Sequence, residues 1–171
     1  MLCIKIRFYN LHCARWHAHH LQMTVCMIKI NFPEEQPALR NRNGTNEIFD
    51  QIRKKWLVLT PEEWVRQNII GFLITGKNVP SPLISIEKEL RLGELKKRYD
   101  IVIFNRQMIP WMIIECKEMN VALSEKVLDQ ILRYHISIPA KYLIITNGKY
   151  CFGFEKRKSI LVEIDEFPDF S

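Results

Sequence analysis

No stretch of this sequence approaches the run of about 18 apolar residues that a membrane-spanning helix needs. The opening MLCIKIRFYN is broken by Lys5 and Arg7, so a secretory signal is not expected. There is no C-x-x-C pair. The five cysteines (Cys3, Cys13, Cys26, Cys116 and Cys151) are odd in number and scattered, which argues against a disulfide framework or a thiolate zinc site and suits a reducing compartment. A G-x-x-x-x-G-K-[ST] loop, the usual cradle for nucleotide phosphates, is also missing. So are internal repeats and low-complexity tracts. These absences lead to the expectation of a cytoplasmic protein with no membrane association.

What is there has the balance of an ordinary globular protein. With 171 residues, 47% hydrophobic and 26% charged, the chain can bury one proper core and is too short for two comfortable domains. The net charge of +6 is compatible with a phosphate-rich partner, because Lys and Arg release counterions on binding a phosphate backbone. Half of that excess comes from residues 1–26, which hold Lys5, Arg7 and Arg15 and no acid. The same segment carries His12, His17, His19 and His20 and shows no helix or strand period. His17, His19 and His20 invite a metal reading, but no acidic or cysteine partner sits at a recognisable spacing. Met27 opens MIKINFP, which reads as a natural start. Residues 1–26 are therefore expected to be a peripheral extension, and residues 27–171 a single domain.

Residues 31–47, rich in Pro, Asn and Gly, read as an irregular arm, and Ile48 to Trp56 as a short helix. In Leu59-Thr60-Pro61-Glu62-Glu63 the start of a longer helix is explicit: Thr60 as N-cap, Pro61 in the first helical position, Glu63 closing a capping box. That helix should run to about Thr75, with Val65, Ile69, Phe72 and Leu73 along one side. After Pro80-Ser81-Pro82 the period changes, and Ile84–Leu90, Tyr99–Phe104 and Trp111–Lys117 read as strands. Ser124 caps a helix to about Ile138, which Pro139 ends. Lys141–Thr146 is a strand stopped by Asn147-Gly148, and Tyr150–Phe154 and Ile160–Ile164 are short final strands. Helix, three strands, helix and strand predict an α/β fold, with a mixed central sheet flanked by helices.

Chemistry is suggested where two apolar strands, YDIVIF and WMIIECK, each carry charge at one end, which is costly without a partner or a role. If Phe104 faces Trp111 across a six-residue turn, Asp100 falls opposite Glu115, with Cβ atoms about 4.5–5.5 Å apart. Two carboxylates so placed repel each other. A divalent cation between them removes the repulsion, and hard oxygen ligands are what Mg²⁺ prefers. Lys117 lies two residues past Glu115 and so shares its face, while the Cys116 carbonyl offers a further oxygen. Such a group suits phosphodiester hydrolysis. The competing reading is a strand-end ion pair between Glu115 and Lys117, with Asp100 a solvated strand start. Gln130 and Tyr134, spaced i, i+4 on one helix face, lend weight to the catalytic reading.

The order Asp…Glu-x-Lys…Gln-x-x-x-Tyr resembles the PD-(D/E)xK nuclease superfamily, whose restriction-endonuclease-like core has the order αβββαβ. More narrowly, the segments LTPEEWVRQ (59–67), KRYDIVIF (97–104), IIECKEMNVALSE (113–125), DQILRYH (129–135) and YLIITNGKYC (142–151) resemble the N-terminal nuclease domain of type I restriction enzyme R subunits, over roughly Phe32 to Phe167. That domain also occurs in small standalone bacterial proteins. The resemblance implies Asp100 and Glu115 as ligands of Mg²⁺ or Mn²⁺, Lys117 as the catalytic lysine, and Gln130 and Tyr134 as supporting residues. Some such domains add a glutamate from the first helix; Glu63 is the candidate, although its capping position explains it without catalysis. The implied activity is metal-dependent cleavage of DNA. The departure is the missing nucleotide loop: a full R subunit couples its nuclease to a translocase, so a separate translocase or specificity protein is an implied partner. The alternative is a non-catalytic nucleic-acid-binding or assembly module with the nuclease fold. Elsewhere, Trp56, Trp64 and Trp111 read as packing anchors more readily than as base-stacking platforms. Lys96, Lys97 and Arg98 are either phosphate contacts or a solvated strand edge. Cys116 and Cys151 read as small buried residues.

Overall fold

The computed structural model describes residues 4–6, 23–25, 27–92, 95–135, 140–158 and 160–170, without the side chains of 4–6, 23–25, 91, 92, 95, 97, 125 and 133–135. Strands β1 (Ile4–Ile6) and β2 (Met23–Val25) pair antiparallel, in a segment whose sequence shows no strand period. The Ile28 N–H donates to the Cys151 carbonyl at 2.8 Å, and the Ile28 side chain is buried.

The arm and short helix expected over 31–56 are instead largely a three-stranded antiparallel sheet of β3 (Leu39–Arg42), β4 (Thr45–Asp50) and β5 (Lys55–Val58). Turn chemistry explains the difference. Asn43 and Gly44 have φ of 52° and 80°, the left-handed pair that a tight hairpin needs and that Asn-Gly supplies at low cost. At the second turn the buried Asp50 carboxylate accepts the Ile52 and Arg53 N–H groups, both at 2.8 Å, a local alternative to helix bonds. Phe49 and Trp56 then pair across the strands, ring centroids 5.2 Å apart.

Helix α1 (Pro61–Gly71) starts as its sequence predicts, with Thr60 Oγ1 accepting the Glu63 N–H at 3.1 Å and Pro61 in the first turn. Half of the capping box is used otherwise. The Glu63 carboxylate is taken up by Arg66 and by Gln67, the latter at 2.9 Å. Past Gly71 the last turn widens into a π-helical stretch, Phe72–Gly76.

The main sheet contains β6 (Ile84–Leu92), β7 (Leu95–Phe104), β8 (Pro110–Cys116), β9 (Tyr142–Thr146), β10 (Cys151–Arg157) and β11 (Ile160–Ile164), in the spatial order β11-β10-β9-β8-β7-β6. Neighbours are antiparallel except β8 and β9, which run parallel. A parallel pair needs a long crossover, and helix α2 (Glu125–His135) supplies it. The order α1-β6-β7-β8-α2-β9 is the expected αβββαβ, in a mixed sheet. Among the described residues no helix is long and apolar enough to cross a membrane.

Strand alternation sorts the core onto two faces. Ile101, Ile103, Met112, Ile114 and Ile144 pack with Val65, Ile69 and Ile70 of α1. Val102, Phe104, Ile113, Leu143 and Ile145 pack with Leu128 and Leu132 of α2. Gly153, on β10, is required by close approach: a Cβ there would stand 2.6 Å from Ile28 Cδ1 and 2.8 Å from Ile164 Cγ1. Gly153→Ala is therefore expected to destabilise the fold by about 1–3 kcal/mol through overpacking. Urea denaturation measures this, and an unchanged midpoint would show that the two isoleucines yield freely.

Candidate active site

The middle of β7 and the end of β8 carry Asp100, Glu115 and Lys117, but not in the hairpin geometry that the sequence suggests. Phe104 pairs with Pro110 rather than Trp111, and an irregularity between Ile103 and Phe104 restores the expected register, with Ile101 opposite Ile114. One step further would set Asp100 against Glu115, but the ladder stops short of it. On its other side β7 pairs Ile86 with Ile101 and Lys88 with Tyr99, skipping Glu87 and Asp100. Glu87 there has φ of 52°, a conformation costly for a residue with a side chain. Tyr99 and Val102 both join the α2-side core, so regular alternation breaks at Asp100. Strand irregularities of this kind re-aim a side chain.

The re-aimed Asp100 carboxylate bridges two elements. Its Oδ2 accepts the Cys116 N–H at 2.8 Å, and its Oδ1 accepts from Arg66 Nη2 of α1 at 3.1 Å. Lys117 Nζ donates to Glu115 Oε1 at 2.9 Å. The expected repulsion between carboxylates is thus countered by two cations, and the ion-pair reading of Glu115 and Lys117 describes their contact. The solvated strand start does not describe Asp100, which Arg66 and the Cys116 amide hold. The end of β8 is itself secured, since the Lys117 N–H donates to the Thr146 carbonyl at 2.8 Å.

Electrostatics tie these groups into one site. Burial works against the Lys117 ammonium, but the Glu115 hydrogen bond and charge, with Asp100 and Glu62 behind them, outweigh it and raise its pKa. Burial likewise opposes the Arg66 charge, and Asp100 and Glu63 more than compensate. The Cys116 thiol is pushed well above its ordinary range by burial and then by Asp100, and burial lifts Cys151 to about 12. Neither cysteine is an activated nucleophile. Burial, then Glu115, raises the Tyr99 phenol.

Arg66 is the participant that sequence reasoning missed. It is buried, and its guanidinium contacts Glu62, Glu63 and Asp100. The available signal was its position three and four residues after two glutamates, inside the helix segment WVRQNII. Arg53 was missed as well; it joins Asp50, Glu87 at 2.7 Å and Glu63 at 3.6 Å. Glu63 is therefore enclosed by Arg53, Arg66 and Gln67, whereas the Glu62 side chain is 46% exposed and acts electrostatically on Lys117.

Gln130 is exposed on α2, and no hydrogen bond joins it to Asp100 or Glu115 among the described residues. The Tyr134 side chain lies outside the described residues. Trp111 stacks edge-on against Tyr142 and Phe170, and Trp56 lies against Phe49 and under Arg40, both as packing anchors. Lys96 pairs with Glu89 at 3.6 Å, and Arg98 with Glu87. A cavity of about 230 Å³ lies behind α1, lined by residues including Pro33, Phe49, Gln51 and Gln67. None of Asp100, Glu115 and Lys117 lines it, so the charged cluster rather than a hollow marks the site.

The donor set suits a hard divalent cation. Among the described residues no three His, Cys, Asp or Glu side chains converge into a ready metal cage. Mg²⁺ does not require one, since it is commonly held by one or two carboxylates, with water and substrate phosphate completing the shell. A carboxylate has about four lone-pair positions, and Asp100 uses one for Arg66 and one for the Cys116 N–H. Oxygen donors thus remain on Asp100, with Glu115 at the end of the neighbouring strand.

No curated protein matches the chain at a significant level. A protein family does match, over residues 61–168, from the first residue of α1 to beyond β11. With more than half of its 171 residues matched, this chain belongs to the family described as Type I restriction enzyme R protein N terminus.

Proposed function

We propose that the chain is a PD-(D/E)xK-type nuclease domain that hydrolyses phosphodiester bonds of DNA with Mg²⁺ or Mn²⁺. The observation that carries this reading is the placing of Asp100 in mid-β7 against the end of β8, through the Cys116 N–H, where Glu115 holds the Lys117 ammonium. Asp100 and Glu115 would hold the cation. When bound, a divalent ion supplies Lewis acidity and a water acidified enough to attack near neutral pH. The chain's own residues provide the rest. Arg66 and the Cys116 amide hold the Asp100 carboxylate in one orientation, which keeps the ligand preorganised. Lys117, kept protonated by Glu115, offers a fixed positive charge to the phosphate oxygens as negative charge builds in the transition state. Gln130 and Tyr134 are proposed to support the site from α2. A separate translocase or specificity protein is the proposed partner, as the family's link to type I restriction suggests.

A second reading, a nucleic-acid-binding or assembly module with the same fold, draws on the fact that each carboxylate already has a cationic partner. Incubation of plasmid DNA with the purified chain in Mg²⁺, Mn²⁺ or EDTA separates the two. Nicking or linearisation that appears with either metal and disappears in EDTA is the expected result. Retarded DNA with no cleavage under any metal, alone or with partner proteins, would make the second reading the better one.

A further inference from the structure

We infer that Arg66 is a positioning residue that sets the site for a single divalent cation, its guanidinium filling the flank of Asp100 where a second cation would sit. This rests on the reading of Asp100 and Glu115 as metal ligands. Arg66 is 5% exposed, and three carboxylates close on it. Its Nη2 donates to both Glu62 Oε1, at 2.9 Å, and Asp100 Oδ1, at 3.1 Å, while Nη1 donates to Glu63. Glu62 and Asp100 therefore share one nitrogen. Glu63, 7% exposed, is also tied to Gln67 at 2.9 Å. Glu63 and Asp100, largely withdrawn from water and joined at the rim by the half-exposed Glu62, need a cation among them.

Two kinds of cation can fill that place. A divalent ion exchanges with solvent, whereas a guanidinium is covalently tethered and keeps its proton. Here the tethered cation is in place. It spaces the three carboxylates apart, in keeping with the absence of a three-ligand cage among the described residues. The other Asp100 oxygen, Oδ2, is turned to β8 through the Cys116 N–H, the strand that carries Glu115. On that reading the exchangeable ion takes the Asp100 lone pairs that Arg66 and the Cys116 N–H do not use, with Glu115 as its other ligand, while the α1 side carries a tethered positive charge.

The test is calorimetric titration of the full chain with Mn²⁺, with melting followed in EDTA and in Mn²⁺. Wild type is expected to bind one Mn²⁺. Arg66→Gln is expected to melt lower in EDTA and to bind two, because Glu62 and Asp100 have lost their counter-ion and Glu63 keeps only the longer contact with Arg53. Its melting temperature should then rise in Mn²⁺ by roughly 5–10 °C more than that of wild type, the gain from one further ion at about 100 times its Kd in a domain of this size. Arg66→Lys keeps the charge and is expected to bind one; it also serves if Arg66→Gln fails to fold. Two ions in wild type or in Arg66→Lys would overturn the inference. So would an Arg66→Gln protein that binds one and gains no more from Mn²⁺ than wild type. No Mn²⁺ binding to wild type would instead sink the reading of Asp100 and Glu115 as ligands, and this inference with it.

Discussion

Lys117→Ala is expected to lower the turnover of DNA cleavage by on the order of 10²–10³-fold, the usual cost of removing one preorganised group that stabilises transition-state charge. The ammonium is held at 2.9 Å from Glu115 Oε1 and is raised in pKa, so it is charged throughout the physiological range. Its role in the folded state is small by comparison. The Lys117 side chain is 30% exposed, and ion pairs of that exposure contribute about 0–1 kcal/mol. Activity and stability should therefore separate: kcat falls steeply, KM moves little, and the thermal melt stays close to wild type. A variant that loses activity in proportion to lost fold would show Lys117 to be structural. A variant with wild-type turnover would remove it from the chemistry.

Asp100→Asn should have two effects at once. Mn²⁺ affinity should fall by more than about 100-fold, since even outer-shell partners of metal ligands cost about 10–100-fold. Reasoning from repelling carboxylates alone, the metal-free variant ought to be as stable as wild type or more so. The structure reverses that sign. Asp100 accepts from Arg66 and from the Cys116 N–H, and asparagine can accept through one atom where the carboxylate accepts through two. A destabilisation of about 1.5–3 kcal/mol is expected, the range for hydrogen bonds to charged groups. It stays below the cost of fully orphaning a buried ion because Arg66 keeps Glu62 and Glu63. Calorimetry with Mn²⁺ and urea denaturation in EDTA read the two effects separately. Unchanged metal affinity would remove Asp100 from the metal site, and an unchanged or raised urea midpoint would mean that repulsion dominates after all.

Much of this architecture is local and therefore legible. Thr60-Pro61 starts α1 because a hydroxyl and a proline satisfy or remove orphan N–H groups regardless of tertiary context. Apolar runs bounded by turn residues outline β6 to β9, and the shift from a helical to a two-residue period separates α1 from the sheet. Asp100, Glu115 and Lys117 stand out because charge at the ends of apolar strands is costly. The β3–β4 hairpin is legible in Asn43-Gly44, although the Pro- and Asn-rich composition around it reads as an irregular arm. The Asp50 turn is harder to see, since the buried carboxylate that caps it looks like any other acid in the sequence.

The sequence by itself determined the αβββαβ order, the family and the short set of charged residues on which chemistry can rest, because each is encoded by residue type and spacing within one segment. What only the tertiary structure decided is how those residues are held. The contact of Arg66 with Asp100 spans 34 residues, and the approach of Arg53 to Glu63 requires the β4–β5 turn to pack beside α1. The break in alternation at Asp100 arises between β6 and β7, where Glu87 takes a left-handed conformation. Contacts of this kind depend on how separate elements dock, and no period or local motif carries that information.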